Sequence, residues 1–115
     1  MNYLLDTHIL LWARLDPAKL SKTQKDIIAS PEYQKFISVI SVWEISLKFS
    51  LGKLQLGDHD PESFLATAKN LGFQLALPEH EYFASYHRLG KVPGHRDPFD
   101  RMLIWQAICS GMTFL

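Results

Sequence analysis

The chain has 115 residues, 47% of them hydrophobic and 21% charged, with three Trp, four Tyr and seven Phe. This is enough for one domain with one core, and too apolar and aromatic for a disordered chain. Twelve Lys and Arg balance twelve Asp and Glu, which excludes a uniformly basic nucleic-acid coat and an acidic tail but leaves room for a local basic patch.

Residues 2–6 (NYLLD) read as a short buried strand ending in an acid. Residues 7–14 (THILLWAR) carry apolar side chains at 9, 10, 12 and 13, the pattern of a helix packed on a sheet. Ser21 and Gln24 form a capping-box pattern that opens a second helix through Ala29. Residues 36–40 (FISVI) are aromatic and β-branched, and read as a second strand. Ser41 is expected to open a third helix, closed by Gly52. Asp60-Pro61 opens a fourth, through Asn70, and 73–77 (FQLAL) reads as a third strand. Pro78 is expected to start a fifth helix reaching Arg88, followed by a loop over 89–96. Asp97-Pro98 opens the last helix, ended by Gly111, and 112–115 begin a fourth strand. Alternating strands and helices predict an α/β domain with a mainly parallel sheet. The single domain over 1–115 is expected to lack its last segment, because a strand starting at Thr113 normally runs further. Its last backbone groups are then expected to dangle.

The only cysteine, Cys109, excludes an internal disulfide and any Cys₄ or Cys₂His₂ zinc site, and suits a reducing, cytoplasmic setting. The first 15 residues are apolar but carry Asp6 and His8, with no basic start or small-residue cleavage site, so they do not read as a signal peptide. No apolar run approaches the ~18 residues of a membrane span.

Four acids stand out. Asp6 ends the first strand, Glu44 lies one turn into the third helix, and Asp97 and Asp100 lie at the start of the last helix. In a parallel sheet, strand C-termini and the following helix N-termini share one edge, where ligands bind. Asp6 and Glu44 are therefore expected together. The last helix precedes a strand, and its N-terminus is expected at the opposite edge unless the helix or its long loop brings it back. Carboxylates gathered in one cleft repel one another unless a hard cation such as Mg²⁺ or Mn²⁺ neutralises them. Such a site can acidify a water and clamp a phosphodiester. No P-loop, G-x-S-x-G elbow or H-E-x-x-H is present.

Each acid also has a structural reading. Ser41 and Glu44 fit a capping box, Asp97 fits a helix N-cap, and Asp100 suits the helix dipole. Asp6, between two apolar runs, is expected to be buried or nearly so, and a buried carboxylate needs a cation or a hydrogen-bond cage. Lys48 follows Glu44 by four residues, as in an ordinary helical salt bridge, or as a lysine that restrains the glutamate or touches phosphate. His8 is expected to be partly buried. Arg88, Lys91, His95, Arg96 and Arg101 crowd the Asp97–Asp100 segment, either as a solvated loop or as a patch for RNA phosphates. Trp12, Trp43 and Trp105 are expected in the core.

LLDTHILLW at 4–12, SVWEISLKFSLGKL at 41–54 and HRDPFDRMLIWQA at 95–107 resemble, in order and spacing, the PIN-domain family, and within it the VapC-type toxins of bacterial toxin–antitoxin pairs. The resemblance implies a three-layer α/β/α sandwich and a Mg²⁺- or Mn²⁺-dependent endoribonuclease. It also implies a cognate antitoxin partner, an RNA substrate and a homodimer, with no membrane association. By position, Asp6 matches the first family acid, Glu44 the second and Asp100 the third, with Asp97 as a second candidate for the third. Thr7 and Ser41 match positions that support the metal ligands, and Arg96, Arg101 and Lys48 are candidate RNA contacts. The family's further acid, after the fourth strand, has no counterpart before Leu115. The alternative is therefore a catalytically impaired PIN-like module that binds antitoxin or RNA without efficient cleavage. A haloacid-dehalogenase-like phosphatase needs an acid where His8 stands, and a receiver-like phospho-acceptor needs one at Leu5.

Overall fold

A computed structural model describes residues 1–115. Its four strands, β1 (Asn2–Leu4), β2 (Gln34–Ser38), β3 (Gln74–Ala76) and β4 (Thr113–Phe114), form one sheet in the order β3-β2-β1-β4, and every pairing is parallel. Six helices connect or flank them: α1 (Thr7–Leu15), α2 (Lys22–Ala29), α3 (Val39–Ser50), α4 (Pro61–Asn70), α5 (His80–Ser85) and α6 (Pro98–Ser110). Short 3₁₀ turns cover Pro17–Lys19 and Tyr86–Arg88. No helix is long and apolar enough to cross a membrane.

The three layers follow from adjacent apolar pairs in the strands. Successive strand residues face opposite sides, so a sheet covered on both faces needs apolar residues in both registers. Leu5 and Ile37 join Ile9, Leu10, Ile45, Phe64 and Ala68 on the side of α1, α3 and α4. Leu4 packs with Ala76 and Ala107, and Phe36 is packed against the same group, on the side of α6. A third group, Ile40, Met102 and Leu103, joins α3 to α6, with Tyr82 and Tyr86 against it.

The chain steps outward from β1 to β3, then returns to the free side of β1 for β4. The strand order reverses between β1 and β4, and Asp6 emerges there. Its amide donates to the Leu115 carbonyl at 3.0 Å, while the Leu115 amide donates to the Leu4 carbonyl at 2.9 Å. The last backbone groups on the β1 side are thus paired, contrary to the sequence expectation.

Other expectations are corrected in detail. β2 ends at Ser38, and the cap of α3 lies three residues earlier than expected. Ser38, not Ser41, is its N-cap, with its hydroxyl accepting from the Ile40 amide. The capping-box reading of Ser41 and Glu44 therefore fails, since both lie inside the helix and are buried. The fifth helix starts at His80 rather than Pro78 and gives way to a 3₁₀ turn at Tyr86. Capping elsewhere is as the sequence predicts: Ser21 and Gln24 form their reciprocal box, and Asp97 caps α6 by accepting from the Phe99 and Asp100 amides. Trp43 is not in the core. It is 59% exposed and stands edge-on to Phe99, with ring centres 5.0 Å apart. Trp12 and Trp105 are partly buried against the core groups.

Candidate active site

Asp6 lies between the end of β1 and the start of α1, which it caps by accepting from the His8 amide at 3.3 Å. Glu44 projects from the second turn of α3. Asp97 and Asp100 come from the N-terminus of α6. All four line one cleft of about 300 Å³, together with His8, Gly94, His95 and Arg96.

The N-terminus of α6 therefore lies on the same side as Asp6, and the expectation of an opposite edge is overturned. A helix that crosses between parallel strands runs antiparallel to them. Its N-terminus then lies at the strands' C-terminal edge, whether it is counted with the strand before it or the strand after it.

The acids differ in environment. The Glu44 side chain is only 5% exposed and accepts from Lys48 Nζ at 2.6 Å, the helical pair that the spacing predicts. The bond to Glu44 is the main cause holding the Lys48 ammonium above its usual range, opposed by partial burial and reinforced by the charges of Glu44, Asp97 and Asp6. The Asp100 carboxylate is hydrogen-bonded to His95 Nδ1. Asp6, with a side chain 24% exposed, has no such close basic partner: His8 Nδ1 stands 3.8 Å away on a side chain that is itself 61% exposed, not partly buried as the sequence suggested. Burial pushes the Asp6 carboxyl above its ordinary value, the His8 amide pulls it back, and the charges of Asp100 and Glu44 push it up again. The acids thus act on one another across the cleft.

Two buried polar bonds join the elements that carry the acids. Thr7 Oγ1 donates to Ser41 Oγ at 2.8 Å, tying the first turn of α1 to α3. Ser38 Oγ donates to Gln106 Oε1 at 2.5 Å, tying the end of β2 to α6. Sequence reasoning singled out Thr7 and Ser41 but missed Ser38 and Gln106, for which no local signal exists because they are 68 residues apart.

His95 was also missed as a partner of Asp100. The signal was present in Val92-Pro93-Gly94-His95. Pro and Gly at the two central positions favour a tight turn with positive φ at the second, and Gly94 has φ of 80° with the His95 amide donating to the Val92 carbonyl. The turn sends His95 back onto the first turn of α6. Arg101 secures this loop from the other side: its Nε donates to the Tyr86 hydroxyl, and its Nη2 to the Leu89 and Gly90 carbonyls. Arg96 lines both the acidic cleft and an adjoining basic cavity of about 570 Å³ that also contains Lys91 and Arg101.

A family model described as PIN domain matches residues 3–115. Among solved structures, the chain is similar to one in the VapBC2 complex of Rickettsia felis bound to a DNA fragment from their promoter. The match has a TM-score of 0.65 and 16% identity, covering 99% of this chain and 86% of the other. No curated protein gives a significant sequence match.

Proposed function

The chain belongs to the PIN domain family, whose members are generally nucleases, and from that premise we propose that it is a metal-dependent endoribonuclease of the VapC toxin type, held in check by a cognate antitoxin. The observation that carries this reading is the convergence of Asp6, Glu44, Asp97 and Asp100 on one cleft at the point where the strand order reverses. The similarity to a chain of a VapBC2 complex supports the antitoxin partner. A homodimer and a cytoplasmic setting complete the reading.

The donor set suits Mg²⁺ or Mn²⁺. It is made of hard carboxylate oxygens, and Asp6 bears an electrostatic penalty that a cation would relieve. As the cleft now stands, no three acidic, histidine or cysteine side chains are arranged to chelate one ion, since Glu44 faces Lys48 and Asp100 faces His95. An ion that keeps several waters needs only one or two direct carboxylates. Asp6 and Asp100 would hold it, with Glu44 acting directly or through water and Asp97 as the alternate acid. When bound, the ion supplies a more acidic water and charge neutralisation at a phosphodiester. The chain's own residues do the rest. Lys48 Nζ orients Glu44, Thr7 and Ser41 fix the helices that carry the acids, and Arg96 offers a charge to a neighbouring phosphate. Arg101 positions the loop and, lining the basic cavity, is a further candidate for contact with RNA.

The alternative, a PIN-like module that binds antitoxin or RNA without efficient cleavage, draws on the same pairing of Glu44 and Asp100 with basic groups. Incubating the full chain with end-labelled RNA in Mg²⁺, in Mn²⁺ and in EDTA separates the two. Internal cleavage that needs the metal, and falls at least a hundredfold in Asp6→Asn and Asp100→Asn, supports the enzyme. Cleavage that survives EDTA contradicts it, and RNA binding without cleavage in either metal favours the impaired module.

A further inference from the structure

A second cavity, of about 350 Å³, opens beside the acidic cleft and shares His8 and Glu44 with it. Its wall is apolar and aromatic, made by Leu11, Trp12, Leu15, Ile45 and Leu54. Its rim carries Lys19, Lys48 and Lys53. The volume lies at the lower end of the roughly 300–1,000 Å³ range of ligand sites.

Two of the three lysines have carboxylate partners: Lys48 with Glu44, and Lys19 with Asp16 at 3.8 Å, which also lines the cavity. Lys53 has none. Lys19 also stands over the Trp12 ring, 5.8 Å from its centre. An apolar, aromatic wall under a cationic rim is the chemistry that takes a stacked base with its phosphates. On the far side of the acids lies the cavity of Lys91, Arg96 and Arg101, so both flanks of the cleft carry cations. In a chain of zero net charge, this places six of the twelve basic residues around the four acids.

We propose that the Trp12 cavity is a nucleotide subsite, in which Lys19 and Lys53 hold the phosphate of a single-stranded RNA residue adjoining the one to be cut and its base lies against Trp12. This rests on the ribonuclease reading of the cleft and adds the path of the strand: one flank in the Trp12 cavity, the other in the basic loop cavity.

The test is fluorescence anisotropy of a labelled twelve-nucleotide single-stranded RNA with the full chain in EDTA, across a salt series. The variants are Lys53→Ala, Lys19→Ala and, as a control of equal charge change, Lys25→Ala on the exposed face of α2, outside the cavity. Each removed phosphate contact should lower the slope of log affinity against log salt by about 0.7. Lys53→Ala and Lys19→Ala are expected to weaken binding at least threefold and to lower the slope by that amount, with melting temperatures near that of the parent. Lys25→Ala is expected to change neither. If the two cavity variants bind RNA as the control does, the subsite is overturned, even if the parent chain cleaves RNA normally. The same holds if they keep RNA affinity but lose an antitoxin peptide. If the parent chain binds no RNA at all, the ribonuclease reading falls with it.

Discussion

Asp6 is both a helix cap and a strained acid, and the two roles can be separated. Asn caps a helix about as well as Asp, so Asp6→Asn keeps the bond from the His8 amide and removes the charge. In the folded chain the Asp6 carboxyl is raised above its ordinary 3.8. Between that value and its folded value the folded state holds more of the proton than the unfolded state, so its contribution to stability falls as pH rises through this window. Above the window the penalty is fully present; below pH 3.8 it vanishes. Asp6→Asn is therefore expected to melt a few degrees higher than the parent at pH 7, with the two converging in acid, as melting curves across pH will show. A lower melting temperature for the variant at pH 7 would mean that Asp6 is held by a structural partner. The Thr7–Ser41 bond makes a second prediction at this scale. Thr7→Val removes the donor and leaves the buried Ser41 hydroxyl without it, which should cost about 1–3 kcal/mol by denaturant titration.

Among the elements, α3 decides where Glu44 points. Its start was misread because Val39 and Ile40 are β-branched and favour a strand locally. The Ser38 hydroxyl outweighs that preference by accepting from the Ile40 amide and donating to Gln106, a partner that only the folded chain supplies. Ser38→Ala should cost about 1–3 kcal/mol, since it removes the cap and leaves the buried Gln106 unpaired. A change under 0.5 kcal/mol in denaturant titration would show that the cap is dispensable. The starts of α2 and α6 carry their own local chemistry, Ser21 with Gln24 and Asp97 before Pro98, and were legible for that reason, whereas α5 has no side-chain cap and its start was not. The edge rule made Asp6 and Glu44 legible as a pair, whereas Asp97 and Asp100 joined them only through the family resemblance, because the rule was applied to α6 with its N-terminus at the wrong edge. Trp43 was misjudged because periodicity identifies an apolar face but not whether a neighbour covers it; here Phe99 stands edge-on to the ring and most of it stays exposed. Arg101 belongs to this scale too. With three hydrogen bonds to Tyr86, Leu89 and Gly90, it braces the loop that presents His95 and Arg96. Arg101→Met should speed amide exchange over residues 89–96 while leaving β1 and β2 protected. Unchanged exchange there would assign Arg101 to ligand contact alone.

Across the whole molecule, a neutral chain concentrates four acids in one cleft and cations on its two flanks. Such a distribution costs folded-state stability, and a bound cation would relieve it, so metal uptake is expected to be linked to the stability of the fold. Calorimetric titration of the full chain with Mn²⁺ tests this most directly. A single binding event is expected, weakened at least tenfold by Asp6→Asn and by Asp100→Asn, and less by Asp97→Asn, whose carboxylate is already engaged in capping α6. No uptake of Mn²⁺ by the parent chain, or uptake undiminished by Asp6→Asn, would contradict a metal centre built on these acids.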